Sequence, residues 1–477
     1  MWATKGRSPL YILRHRIARN RKTLFSALVG LSFTLLILWS SFQPSSSNVS
    51  LSTEEHYLAY LPHSGLSNQR IELANAILLA ALLNRTLIVP PAFLGNVVGW
   101  MTKDQLLDHL GWLTTPKDFV TLCAPPTPDR LSTYVRRSKC EEYRNFGVLS
   151  WTDLHDFSPL AEHVRIRHHP IVSLTQLQQD LGIQDNETYV HIDEGLYDWR
   201  LYEDPAEADR LLKTQTNYVD SFSGRRYYKV FTLEQWQNRP EKLLQLGGIF
   251  GSTRLSVVKP EHVALRQMIT ETLHYRLDTA LGRTVKQIVQ HLGGKGTFMS
   301  VHFRTGDSPF RGRLGENLKT FLQQMAERTG ATSIEPLESL NQTQQIPLTP
   351  PEDLSLTPWS TTCRNVPSDK TQSLHDLGAR ALIYIATDHP RPRDNDSRLL
   401  PWFQRFPCTI TLNDIPSHLF DPLSDIHDLV DPTKSLKSYL IPLVDAMVAA
   451  HAREIFTTPR STFSKYIGEL NRVWVSD

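Results

Sequence analysis

YLAYLPHSGLSNQRIELANAILLAALLNRTLIVPP, residues 57–91, changes rhythm three times within 35 residues. Residues 57–61 are a short β-like run that ends at the turn-formers Pro62, His63, Ser64 and Gly65. Ile71, Ala74, Ile77, Leu78, Ala81 and Leu82 then recur at helical spacing and share one face. The helix is expected to end near Asn84, and Thr86-Leu87-Ile88-Val89 reads as a buried strand stopped by Pro90-Pro91. Strand, loop, helix and strand make a βαβ unit. Its loop lies at the carboxyl end of the first strand, where open parallel sheets bind their ligands.

The same grammar returns downstream. TFMSVHF at 297–303 runs into Arg304-Thr305-Gly306-Asp307, and ALIYIA at 381–386 runs into Thr387-Asp388. An apolar helix at 441–452, a strand at 454–457, the turn Thr458-Pro459-Arg460-Ser461 and a helix at 462–472 close the chain. The expected fold is therefore α/β, with two Rossmann-like lobes at 56–285 and 286–477 and a cleft between them. Residues 335–370 carry Pro336, Pro347, Pro350, Pro351, Pro358 and Pro367 among many Ser, Thr and Gln, and read as a long surface loop. Residues 196–250 mix aromatic and basic side chains, which an acidic body explains better by packing than by nucleic-acid binding.

That acidity is hidden in the totals. The 477 residues hold 51 Lys+Arg and 49 Asp+Glu, and 40% are hydrophobic, which excludes wholesale disorder and a multi-span membrane protein. Seven of the basic residues and none of the acidic ones precede residue 23, leaving 44 basic against 49 acidic in the rest. No nucleic-acid partner is expected of such a body. Residues 24–42, LFSALVGLSFTLLILWSSF, are uncharged and reach roughly 28 Å as a helix, enough to span once. A cleaved signal peptide is the rival, but the basic leader is long for one and no small-x-small site follows Phe42. The positive-inside rule then puts residues 1–23 in the cytosol, the span at 24–42, a Ser-rich stem at 43–55 and everything after it across the membrane. This is a type II topology, with the membrane as a partner through one N-terminal helix.

Cys123, Cys140, Cys363 and Cys408 all fall on the far side, where an even number reads as two disulfides. Cys123–Cys140 and Cys363–Cys408 keep each pair within one half of the chain, although four cysteines permit three connectivities. No CxxC or paired His/Cys spacing suggests a metal site. Sequons at Asn48, Asn84, Asn186, Asn341 and Asn395 agree with a secretory lumen, and without a KDEL-like ending the expected location is the Golgi membrane.

Chemistry concentrates at three places. Strand alternation puts His302 and Arg304 on one face at a strand exit, where a guanidinium fork suits phosphate oxygens and stabilises a departing diphosphate. The alternative there is a solvated Arg304–Asp307 turn with His302 packed in the core. The loop at 62–70 could bring backbone N–H groups near Gly65 against a phosphate, or be an ordinary βα turn. Ser461-Thr462-Phe463 opens the last helix, as a plain N-cap or as an anion site.

GLSNQR at 65–70 with LLNRTLIVPP at 82–91 resembles the first motif region of the GDP-fucose protein O-fucosyltransferases. VHFRTGD at 301–307 looks like that superfamily's His-x-Arg motif. IYIATD at 383–388 looks like its third region, and FTTPRSTFSKYI at 456–467 like its C-terminal Ser-Ser/Thr-Phe region. The resemblance covers about a fifth of the chain. It implies a GT-B type fold, GDP-fucose as donor substrate with no cofactor, inversion at the sugar carbon, no metal, and a protein or glycan acceptor. It also implies that Arg304 neutralises the diphosphate beside His302, and that Gly65 and Asn68 line the sugar-phosphate pocket. Asp388 would lie near the guanine or ribose, and Ser461, Thr462 and Phe463 would hold the diphosphate. Some members place a glutamate just before the loop glycine as base. Ser64 stands there here, which leaves Glu72 and Asp307 as candidate bases, each equally suited to a structural ion pair. Two rival readings remain: a metal-dependent glycosyltransferase using Asp394-Asn395-Asp396, and a lectin-like or scaffolding protein without turnover.

Overall fold

The apolar runs form two parallel sheets in the computed structural model. Residues 55–124, 130–191, 193–214, 218–219, 226–227, 229–331 and 363–476 are described by it. The first sheet comprises β1 (Tyr57–Ala59), β2 (Thr86–Val89), β3 (Ile166–His168), β4 (Thr188–Val190) and β5 (Leu243–Gln245), in the order β3-β2-β1-β5-β4. The second comprises β6 (Met299–Phe303), β7 (Ile383–Thr387), β8 (Thr409–Thr411) and β9 (Glu454–Thr457), in the order β8-β7-β6-β9. Every neighbouring pair in both sheets is parallel. Parallel strands need crossovers that cover both faces, which is why their sequences are nearly continuous apolar runs.

α1 (Leu66–Leu82) is the crossover from β1 to β2. It begins five residues before the apolar periodicity, because its first turns bury polar side chains by bonding them. Gln69 donates from Nε2 to the Ser64 and Phe93 carbonyls at 3.1 and 3.0 Å, and its Oε1 accepts the Phe93 N–H at 3.0 Å. Asn75 donates from Nδ2 to the Ile249 and Gly251 carbonyls, both at 2.9 Å. Three further helices matter to the site: α2 (Pro260–Thr272), α3 (Lys437–Ala450) and α4 (Thr462–Ser476). Val444 and residues 446–450 of α3 have no exposed surface, so the last turns of this helix run through the core.

The aromatic and basic segment behaves as packing. Trp199–Tyr202, Lys229–Thr232 and Leu255–Ser256 form a small parallel sheet, and Trp199, Phe231 and Trp236 cluster with ring centroids 5.0–6.2 Å apart. Both expected disulfides are present, Cys123–Cys140 and Cys363–Cys408. The second spans 45 residues and ties the end of the Pro-rich segment to the residue before β8. Loop-closure entropy makes it worth about 4 kcal/mol. Residues 335–362 of that segment lie outside the described residues, as do Asn48, Asn341 and the expected anchor and stem up to residue 54. Asn84, Asn186 and Asn395 are exposed. Among the described residues no helix is long and apolar enough to cross a membrane.

Candidate active site

β6, β7 and β8 end on one side of their sheet, and their carboxyl ends open into a cavity of about 630 Å³. His302, Arg304, Asp388 and Phe463, all named from the sequence, line it. Thr458 holds this strand end in place: its Oγ1 donates to the His302 carbonyl at 2.7 Å and accepts the Arg304 N–H at 3.1 Å. His302 is buried, its Nδ1 lies 2.6 Å from Ser464 Oγ, and its ring meets Phe463 edge-on at 5.4 Å. Burial holds its pKa down to about 4, with the Arg304 charge acting in the same direction against Asp388. At neutral pH the imidazole is uncharged, so Arg304 supplies the positive charge on this strand end.

Arg304 is fixed between two carboxylates. Its Nε donates to Asp307 Oδ1 at 3.0 Å, and Nη1 lies 3.2 Å from Asp388 Oδ2. Asp388 also accepts the N–H and hydroxyl of Thr305, both at 2.7 Å, and the N–H of Gly306 at 3.1 Å. Its carboxylate thus shapes the turn that presents the guanidinium. The Arg304–Asp307 pair of the alternative reading exists, and so does the burial of His302, yet the guanidinium still borders the cavity.

α4 starts at the cavity rim. Ser461 Oγ accepts the Ser464 N–H at 3.1 Å, an N-cap bond. The N–H groups of Thr462 and Phe463 belong to the first turn and have no acceptor within the helix, the arrangement that favours an anion. Thr462 Oγ1 donates to Asn68 Oδ1 at 2.9 Å, so these two expected site residues meet and join α4 to α1.

Gly65, Glu72 and Asp307 do not line the cavity. Gly65 has extended backbone at φ −79°, and the left-handed residue of the loop is Ser64 at φ 70°. Glu72 has no exposed surface: Oε2 accepts the His63 N–H at 2.9 Å, and Oε1 lies 3.0 Å from His63 Nε2. Burial pushes Glu72 up and His63 down to about 4, and the pair is closed in. Asp307 is exposed and bonded to Arg304.

Of the lining residues that the sequence reading does not single out, one carries a charge-bearing group with a shifted pKa. Asp445, on α3, is half-buried at the cavity wall, where its Oδ1 accepts the Tyr384 hydroxyl at 2.5 Å and its Oδ2 the Thr387 N–H at 3.0 Å. Burial pushes it up to about 7. Its signal in the sequence was a lone acid in the apolar run 441–452. Of the Asp394-Asn395-Asp396 triplet, Asp394 pairs with Arg391 on the surface at 3.3 Å, and none of the three lines the cavity. His191, Asp193 and Asp198 do gather within 4.8 Å of one another, but Lys229 Nζ, 3.1 Å from Asp198, already brings a cation there.

No family model matches the chain. A stretch of 117 residues is 60% identical to O-fucosyltransferase 30 of Arabidopsis thaliana, covering 24% of this chain and 19% of that protein. The match thus spans about a fifth of the curated relative's length. The resemblance to O-fucosyltransferases is borne out by this match. Among solved structures, apo POFUT1 superposes with a TM-score of 0.35 at 9% identity, over 88% of this chain and 95% of that one. Fucosyltransferase NodZ from Bradyrhizobium gives 0.33 at 11%, over 87% and 92%. Both superpositions are loose.

Proposed function

We propose that the protein is an inverting, metal-independent fucosyltransferase of GT-B type that moves fucose from GDP-fucose to a protein or glycan hydroxyl. The observation that carries this reading is the Arg304 guanidinium, held by two carboxylates at the border of a strand-end cavity beside the free N–H groups that open α4. The fucosyl name of the matched relative and the four motifs supply the donor. On this reading the diphosphate lies between Arg304 and the first turn of α4. The C1–O bond breaks, its electron pair stays on the GDP oxygen under that positive field, and the acceptor oxygen bonds to C1 from the opposite face. The acceptor proton passes to solvent after bond formation, so neither the closed-in Glu72 nor Asp307 is required as a strong base. Anchoring by residues 24–42 in the Golgi membrane, with residues 56–477 lumenal, completes the proposal.

Asp445 gives the reading a base-selective test. An ionised carboxylate accepts well from the adjacent N1–H and N2–H₂ of guanine, whereas uracil flanks its one N–H with two carbonyls that repel it. GDP is expected to bind at least about tenfold tighter than UDP, a difference of ~1.4 kcal/mol. Asp445 must be ionised to accept, so GDP binding should release a proton and weaken as pH falls through about 7. Calorimetry of GDP and UDP between pH 6 and 8, with Asp445→Asn as the control that narrows the preference, checks this. Equal affinity for the two nucleotides at every pH would remove the donor assignment.

A further inference from the structure

A second cavity of about 200 Å³ lies between α1, α2 and α4. It backs onto the first: Thr462 lines the small cavity and its neighbour Phe463 lines the large one. Three basic side chains, Arg70, Arg266 and Lys465, border it against one acid, Glu469. Arg70 is the telling residue. It is 7% exposed, its guanidinium carbon sits 3.6 Å from the Tyr466 ring centroid, and its Nε has no hydrogen-bond partner among the described residues. Glu469 reaches it only at 4.0 Å, beyond hydrogen-bond length, and is 3.8 Å from the exposed Lys465. Arg266 differs, because its Nη2 already donates to the Leu255 carbonyl at 2.6 Å.

A guanidinium stacked on an aromatic ring still presents its edge N–H groups, whose fork suits a planar anion. A cavity of about 200 Å³ has room for a pyranose ring and not only for a lone carboxylate. Ile71, Leu78 and Phe250 offer an apolar wall, and Asn75 and Thr270 offer polar groups, the mixture that a sugar ring presents in return.

We propose that this cavity is the acceptor subsite and that it takes a sugar acid, with the carboxylate of a uronic acid residue on Arg70. The assignment of the occupant as acceptor rests on the proposed fucosyl transfer; the anion preference of the cavity does not. The test is binding of free D-glucuronate, D-glucose and glucose 6-phosphate to residues 55–477, read by saturation-transfer NMR and calorimetry, with and without GDP. Glucuronate is expected to bind at least tenfold tighter than glucose, and together with GDP rather than in competition with it. Arg70→Gln is expected to weaken glucuronate at least tenfold and leave GDP affinity unchanged, with Lys465→Gln showing a smaller loss. Arg70→Lys serves if Arg70→Gln fails to fold. Equal binding of glucuronate and glucose, glucuronate binding untouched in both Arg70 variants, or competition with GDP would overturn the proposal. Tighter binding of glucose 6-phosphate than of glucuronate would overturn the carboxylate assignment. Glucuronate binding without any GDP binding would instead remove the fucosyl-transfer reading and leave the anion cavity standing.

Discussion

Arg304→Ala is expected to lower turnover at least about 100-fold while leaving the protein folded, since the missing charge is worth ~3 kcal/mol to a departing diphosphate. The two halves of this prediction come from different contacts. The guanidinium is 31% exposed, and its pairing with Asp307 is an i,i+3 bond at the surface, a kind worth little to stability. The turn it extends from does not depend on it, because Asp388 keeps its bonds to Thr305 and Gly306, and Thr458 still accepts the backbone N–H of residue 304. Arg304→Lys keeps the charge without the fork and should fall between the two. Rates of GDP release, set beside thermal melting of each variant, decide the matter. Turnover near wild type in Arg304→Ala would remove the residue from the chemistry.

Arg254→Met carries the largest expected effect on stability, a loss of about 3–5 kcal/mol. Arg254 has no exposed surface, and each of its three guanidinium nitrogens donates to a backbone carbonyl: Nε to Phe250 at 3.0 Å, Nη1 to Trp199 at 2.6 Å and Nη2 to Leu196 at 3.0 Å. Its guanidinium carbon is also 5.0 Å from the Trp199 ring. Methionine fills much of the volume and satisfies none of the carbonyls, so buried acceptors are left unpaired. Urea denaturation of the two proteins measures the difference. A loss below about 1 kcal/mol would mean that these carbonyls find other donors.

The strand order could not be read from the sequence, but the strands could. Residues 57–61, 86–89, 297–303 and 381–386 are apolar runs, and buried parallel strands have no polar face to interrupt them. The start of α1 was missed because Gln69 and Arg70 are buried polar residues, which hydrophobic periodicity cannot register. The small sheet built on residues 199–256 was missed because its strands are two to four residues long and held partly by Arg254. At the site, His302, Arg304 and Phe463 were legible because each stands where an apolar run meets a turn. Asp445 was not singled out, since it belongs to a helix whose neighbours read as core. Thr458 was read only as part of a turn, and nothing in its sequence signals that its hydroxyl bonds two backbone groups of another strand. The positive φ of the 62–70 loop falls at Ser64 and not at the neighbouring Gly65, because glycine marks where such a conformation is easy, not where it must fall.

The most direct test of the account is GDP release from GDP-fucose and from other GDP- and UDP-sugars by residues 55–477, with and without EDTA. EDTA-resistant release from GDP-fucose, absent with UDP-sugars, is the predicted result. Release that EDTA abolishes would contradict metal independence, and no release from any sugar together with no GDP binding would contradict the enzyme itself.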